Sequence, residues 1–296
     1  MKALRFYDVQ DLRYEDAPDP VIEKPDDVIV KVKAVGICGS DIARYRNLGP
    51  YVPGNVWGHE FCGEVVEVGE GVKNLKPGDR VVGCPNMVCH ECEYCKSGHP
   101  SRCENLNTIG AYVPGAYAEY IKLPEINFVK MADSMSYEQG ALVEPATVAI
   151  HGLYQTSIKM GYEVAVVGCG NIGLMAIAWA KAFGAKRVFA IDIDDAQLQL
   201  AKEFGADVLI NSTDIDFHDE IRKYGNGVDL AIESAGNPFT AARVLGLPHK
   251  GGEVVYMGIP YADVPIPRFY FERIMRNELH CLLYTSPSPR DGATSR

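Results

Sequence analysis

Four cysteines, Cys89, Cys92, Cys95 and Cys103, follow the spacing C-x2-C-x2-C-x7-C within the hydrophilic stretch CHECEYCKSGHPSRC. Thiolates this close along a chain can all reach one tetrahedral ion at about 2.3 Å per Zn–S bond. Each sulfur must give up its proton, and four thiolates tolerate one another only around a divalent cation. Any fold available to this chain must therefore close a loop about that point. The other use of clustered cysteines, disulfide pairing, belongs to oxidising compartments, and nothing else in the sequence points to secretion. Four sulfurs leave no position for a substrate, so this zinc is expected to staple a loop.

Composition narrows the remaining choices. A chain of 296 residues with 47% hydrophobic content has core enough for two domains. Asp and Glu outnumber Lys and Arg by 39 to 29, a formal charge of -10, which with the lack of any basic stripe argues against a nucleic-acid partner. The N-terminal stretch MKALRFYDVQDLRYEDAPDP is charged from Lys2 onward and has no apolar core of the secretory kind. No window approaches the roughly 18 apolar residues of a membrane span. The expectation is a cytoplasmic protein whose nine cysteines serve as ligands or packed apolar residues.

The chain changes character part-way. Residues 1–155 carry short alternating runs, DVIVKVKAV at Asp27–Val35 and GEVVEV at Gly63–Val68, separated by turn residues such as Lys76-Pro77-Gly78-Asp79. That pattern predicts an all-β lobe. Residues 156–280 alternate strand and helix: strands at Glu163–Val167, Arg187–Ile191, Asp207–Ile210, Val228–Glu233 and Gly252–Met257, with helices at Ile172–Phe183, Ala196–Phe204 and Pro238–Leu245. Such alternation predicts an α/β fold with a doubly wound parallel sheet. A further strand beginning at Glu278 runs into residues 281–296, whose Ser/Pro/Arg-rich text lacks periodicity and is expected to be a non-native tail.

Two constellations carry chemistry. Gly168-Cys169-Gly170-Asn171-Ile172-Gly173 follows a predicted strand and opens a predicted helix, and Asp192 stands 19 residues beyond Gly173 at the end of the next strand. In that context G-x-G-x-x-G lets backbone N–H groups approach a pyrophosphate, with the acid on the adenosine ribose. Asp192, with Asp194 nearby, would repel a 2′-phosphate, which favours NAD over NADP. Ser234, Gly258 and Ile259 end later strands, where such a sheet presents its ligand crevice. In the first lobe, Cys38 lies in GICGSD and His59-Glu60 in GHE-x2-G-x5-G, each beside glycine and ahead of the four-cysteine loop. Together they suggest a second metal.

These motifs, CGSD, GHE-x2-G-x5-G, the four cysteines and GCGNIG in that order, resemble the zinc-containing medium-chain dehydrogenase/reductase (alcohol dehydrogenase) family over residues 1 to about 280. The Glu144-Pro145 pair in VEPATVAIHG resembles its polyol branch, most of all the galactitol-1-phosphate 5-dehydrogenases, with sorbitol dehydrogenases more distant. The resemblance implies a GroES-like β-barrel catalytic domain and a Rossmann domain. It implies a catalytic zinc on Cys38, His59 and Glu144, with Glu60 as the neighbouring carboxylate that can bind or exchange onto the metal. Glu144 ranks ahead of Glu60 in that reading. Ser40 would be the first proton relay, and Ala43 stands where many relatives continue the relay with histidine.

The implied reaction passes a hydride from a secondary alcohol of a polyol or polyol phosphate to NAD, galactitol 1-phosphate to tagatose 6-phosphate first among the choices. Sorbitol, xylitol, butanediol or threonine oxidation are the alternatives, as is a truncated fragment that binds zinc and NAD without turnover. Arg44 is expected to meet a substrate phosphate. Intact relatives imply a homodimer or homotetramer, and a C-terminal segment of roughly fifty to seventy residues that this chain lacks.

Overall fold

The computed structural model describes residues 1–213 and 215–283. The chain divides into two compact units, Met1–Glu144 and a second beginning at Pro145.

Strands of the first unit are short because Gly and Pro interrupt every apolar run. In chain order they are β1 (Lys2–Asp8), β2 (Asp11–Asp16), β3 (Asp27–Val35), β4 (Asn55–Val56), β5 (Phe61–Val68), β6 (Arg80–Gly83), β7 (Asn86–Met87), β8 (Asn107–Thr108), β9 (Tyr120–Pro124) and β10 (Phe128–Lys130). A five-stranded antiparallel sheet in the order β10-β6-β5-β3-β9 is the frame, beside a three-stranded sheet β2-β1-β4 and the β7-β8 pair. Alternation in β3 and β5 points Val28, Val30, Phe61 and Val65 into one core with Val81, Ile121, Leu123 and Phe128. This is the GroES-like β-barrel lobe.

Helices here are brief. They are α1 (Gly39–Ala43), followed by a π-helical turn at Arg44–Leu48, then α2 (Glu93–Lys96) and α3 (Tyr137–Ala141). Ser136 caps α3 by accepting the Gln139 N–H at 3.2 Å, the S-x-x-Q capping arrangement. The chain crosses from one unit to the next within α4 (Val143–Tyr154).

The second unit is a Rossmann fold. Strands β11 (Glu163–Val167), β12 (Arg187–Asp192), β13 (Val208–Asn211), β14 (Val228–Glu233), β15 (Pro248–Tyr256) and β16 (His280–Leu283) lie in the order β13-β12-β11-β14-β15-β16, every pair parallel. In β11, Val164, Ala165, Val166 and Val167 are buried in succession because both faces of the sheet are covered. One face packs under α5 (Asn171–Ala182) and α6 (Asp195–Glu203), the other under α7 (Phe217–Arg222), α8 (Pro238–Arg243) and α9 (Arg268–Arg276).

Helices α7 and α9 were not expected from sequence. The first is a single capped turn and a half. The second packs only the half-buried Tyr270 and Ile274 on the core and leaves Phe269, Phe271 and Met275 exposed, which hides its period. Cys281–Leu283, within the expected tail, belong to β16, and residues 284–296 lie outside the described residues. Among the described residues no helix is long and apolar enough to cross a membrane. Ile177 is fully buried in the α5 core, so Ile177→Ala is expected to lower the unfolding free energy of this unit by about 2–5 kcal/mol, read by urea titration.

Candidate functional site

The four-cysteine loop is built from turns rather than regular elements. Cys92 caps α2, Cys95 lies within it, and Cys103 ends the 3-10 turn Pro100–Arg102. The Sγ atoms of Cys89, Cys92, Cys95 and Cys103 all lie within 4.8 Å of one another. Backbone N–H groups already point at them: Cys89 N–H donates to Cys103 Sγ at 3.3 Å and Cys92 N–H to Cys89 Sγ at 3.4 Å. Such donors pull the Cys89 thiol down, while desolvation and the neighbouring Cys92 push the Cys95 thiol up. Four crowded thiols with N–H donors trained on sulfur fit a tetrahedral thiolate site for zinc.

The second cluster is buried. Cys38 lies ahead of α1, and His59 and Glu60 precede β5; their exposures are 3%, 1% and 4%, and their ligand atoms lie within 4.8 Å of one another. His59 Nε2 is buried and has no hydrogen-bond partner among the described residues. Burial, with the Cys38 thiol adding to it, pushes the Glu60 carboxyl up to about 8. An orphaned imidazole nitrogen beside a thiol and a carboxyl is a donor set that suits one zinc and leaves a fourth position open.

The carboxylate whose oxygen joins this cluster of ligand atoms is that of Glu60. Gly36 makes the space: a Cβ there would stand 2.4 Å from Glu60 Oε2. Glu144, ranked first from the sequence, opens α4 and is not among the clustered ligand atoms. Ser40 Oγ is buried and lacks a partner among the described residues, so its hydroxyl is free to meet a ligand. Arg44 is buried beside this cluster's helix. Its guanidinium stands 3.3 Å from the Tyr51 ring centroid and donates to Gly49 O at 3.0 Å, bracing the π-helical turn. Two residues that sequence reasoning passed over, Asp41 and Tyr117, back the cluster. Asp41 Oδ2 accepts from Cys38 N–H at 3.0 Å and from Tyr117 Oη at 2.7 Å, and its Oδ1 stands 3.9 Å from His59 Nδ1. An acid three residues past Cys38 was a readable signal for the first; the second had none.

In the second unit the glycine turn does what its spacing requires. Gly168 follows β11 at φ +95, and a Cβ on Gly173 would sit 1.9 Å from Gly168 O, so α5 can close on the strand only with glycine there. Gly170 caps α5 with open space where its Cβ would be, so a phosphate can approach the first N–H groups at Asn171 and Ile172. Asp192 accepts from Cys169 N–H at 2.6 Å, Ile193 N–H at 2.7 Å and Asp194 N–H at 3.1 Å, fixing its carboxylate beside the turn. The Ser234 hydroxyl donates to Gly168 O at 2.7 Å and acts as a brace of the turn. Gly258 packs on Gly236, and Ile259 is part-exposed beside it.

Comparison with known proteins places these sites in context. The family profile described as "Alcohol dehydrogenase GroES-like domain" matches residues 24–133, and that described as "Zinc-binding dehydrogenase" matches residues 171–292. The chain is 39% identical to the sorbitol dehydrogenase of Bacillus subtilis, over 88% of this chain and 75% of that one. It belongs to the zinc-containing medium-chain dehydrogenase/reductase family. Another family member, the (R,R)-butanediol dehydrogenase of B. subtilis, is 38% identical over 88% of this chain and 78% of that one. Among solved structures of the family, galactitol-1-phosphate dehydrogenase from Escherichia coli matches with TM-score 0.91 at 33% identity, covering 98% of this chain and 85% of that one. A Sinorhizobium meliloti zinc-binding dehydrogenase bound to NADP (TM-score 0.88, 34% identity, 98% and 86% covered) and an E. coli CFT073 alcohol dehydrogenase complexed with NADH (0.87, 30%, 97% and 83%) match as well. The family is thus one of zinc-binding alcohol and polyol dehydrogenases that use a nicotinamide dinucleotide.

Cys103→Ser is expected to lower the zinc content by one ion per chain in metal analysis. Thiols must shed protons to bind zinc, so the loop's zinc affinity is expected to fall as the pH drops.

Proposed function

We propose that this chain oxidises a secondary alcohol of a polyol, passing hydride to NAD, with one catalytic and one structural zinc. The observation that carries the reading is the buried Cys38–His59–Glu60 cluster with His59 Nε2 unpartnered. Bound there, zinc supplies a Lewis acid that makes a secondary hydroxyl acidic near neutral pH. Cys38, His59 and Glu60 hold it in this reading, and Glu144 is the alternative carboxylate that the family resemblance favours. Ser40, whose hydroxyl has no other partner, takes the proton that the alcohol loses. Cys89, Cys92, Cys95 and Cys103 hold the structural ion.

Gly168, Gly170, Asn171, Ile172 and Gly173 receive the pyrophosphate of the dinucleotide, and Asp192 the ribose diol. Gly258 and Ile259 support the nicotinamide, and Ser234 keeps the turn in shape. A carboxylate fixed at Asp192 repels a 2′-phosphate and supports NAD over NADP. Galactitol 1-phosphate is the first substrate to test because of the likeness to the E. coli enzyme, and sorbitol the second because of the B. subtilis relative. A cytoplasmic site of action suits nine thiols of which none is paired in a disulfide.

NADH formation with a panel of phosphorylated and free polyols, alongside metal analysis, tests the reading. The expected result is two zinc ions per chain and turnover of at least one polyol. Cys38→Ser and His59→Ala should each remove several kcal/mol of barrier lowering, about a thousandfold in kcat/KM. Glu60→Gln is expected to empty the catalytic ion; loss in Glu144→Gln alone would give that place to Glu144. Binding of zinc and NAD without turnover of any alcohol would overturn the catalytic reading for this chain. Asp192→Ala removes a charged hydrogen-bond acceptor and is expected to weaken NAD binding roughly ten- to hundredfold, measured by titration, with a smaller effect on NADP.

A further inference from the structure

We propose that Tyr117 is a positioning residue for the Cys38–His59–Glu60 centre, acting through Asp41 and Gly36; the proposal rests on the reading of that centre as a zinc site. Tyr117 is brought there by backbone pairing. Its N–H donates to Trp57 O at 2.6 Å, and Ala116 N–H donates to Gly58 O at 2.9 Å, so residues 116–117 lie along the segment that delivers His59. Gly58 has φ +95, and a Cβ on it would stand 2.6 Å from the Tyr117 ring. The ring is thus packed flat against the residue before the imidazole.

The hydroxyl touches the supports of all three ligand candidates. It lies 2.7 Å from Asp41 Oδ2 and 3.0 Å from Gly36 O. One phenol has one proton to donate, and the carboxylate is the nearer and stronger acceptor. Oδ2 also takes the Cys38 N–H at 3.0 Å, which ties the thiol's backbone to the same oxygen. With Oδ2 occupied twice, Oδ1 is the oxygen left to face His59 Nδ1 at 3.9 Å. A negative carboxylate on that side favours the ring proton on Nδ1 electrostatically and leaves the Nε2 lone pair for a metal. Gly36, the second acceptor, donates its own N–H to Glu60 O at 2.7 Å and lies against the Glu60 carboxyl. A phenylalanine would supply the packing against Gly58; only the hydroxyl supplies this tether.

The test is Tyr117→Phe in the full chain, which keeps the ring and removes one oxygen. Zinc is titrated against a chromophoric chelator, and the visible absorption of the Co(II)-substituted protein is recorded. Wild type is expected to hold two ions. The variant is expected to keep the four-cysteine ion unchanged and to hold the other about ten- to hundredfold more weakly, with altered Co(II) bands. Asp41→Asn should produce the same change, and the double variant should add little to either single one. A Tyr117→Phe protein with wild-type affinity for the second ion and unchanged Co(II) bands overturns the proposal. So does a weakened ion accompanied only by a lower melting temperature with the bands unmoved, which marks a purely structural role. A wild-type chain that takes up one ion alone overturns the reading of the centre itself, and that outcome is seen before any variant is made.

Discussion

Three side chains whose charges depend on a proton, Cys38, His59 and Glu60, are buried within 4.8 Å of one another, and the first unit is arranged around that crowding. Desolvation raises the Glu60 carboxyl, and the Cys38 thiol beside it raises it further. A carboxyl held up to about 8 and an imidazole nitrogen with nothing to bond are the signs of a set that a cation would complete. The strands that carry these residues to one point are ordinary antiparallel ones. The special features are the gaps between them: Gly36 clears room for Glu60, and Gly58 lets the chain turn under the Tyr117 ring.

The second unit solves a different problem by the same means, removal of side chains where backbone must come close. Gly168 and Gly173 touch across the β11–α5 turn, Gly170 leaves the helix end bare, and Ser234 and Asp192 tie the turn to the neighbouring strands. Rigidity on the protein side and openness on the ligand side come from the same three glycines. Asp192 and Ser234 brace the turn through hydrogen bonds to its backbone.

Much of this was legible in the sequence, and the exceptions have a common cause. The six parallel strands, the cysteine loop, the glycine turn and the pairing of Cys38 with His59 are all set by short-range spacing or by period. The place of the Glu60 carboxyl was not, because it depends on a gap that Gly36 makes on another segment. Tyr117 is 76 residues from the Asp41 it contacts, and no local pattern reports such a meeting. The contacts of Arg44 with Tyr51 and the Gly49 carbonyl were not legible either, because they depend on how the turn after α1 folds back on itself. In α9 three exposed apolar residues outnumber the two that pack on the core, so periodicity pointed nowhere.

Each unit carries its own interior. Val28, Phe61 and Leu123 belong to one, and Val164, Ile177 and Leu230 to the other. Cooperativity in melting arises from a shared interior, and a chain with two of them has no physical obligation to lose both at one temperature. A calorimetric scan counts the transitions directly. Metal ligands cluster in the first unit and the dinucleotide turn lies in the second, so zinc and NAD each add stability, by mass action, through a different part of the chain.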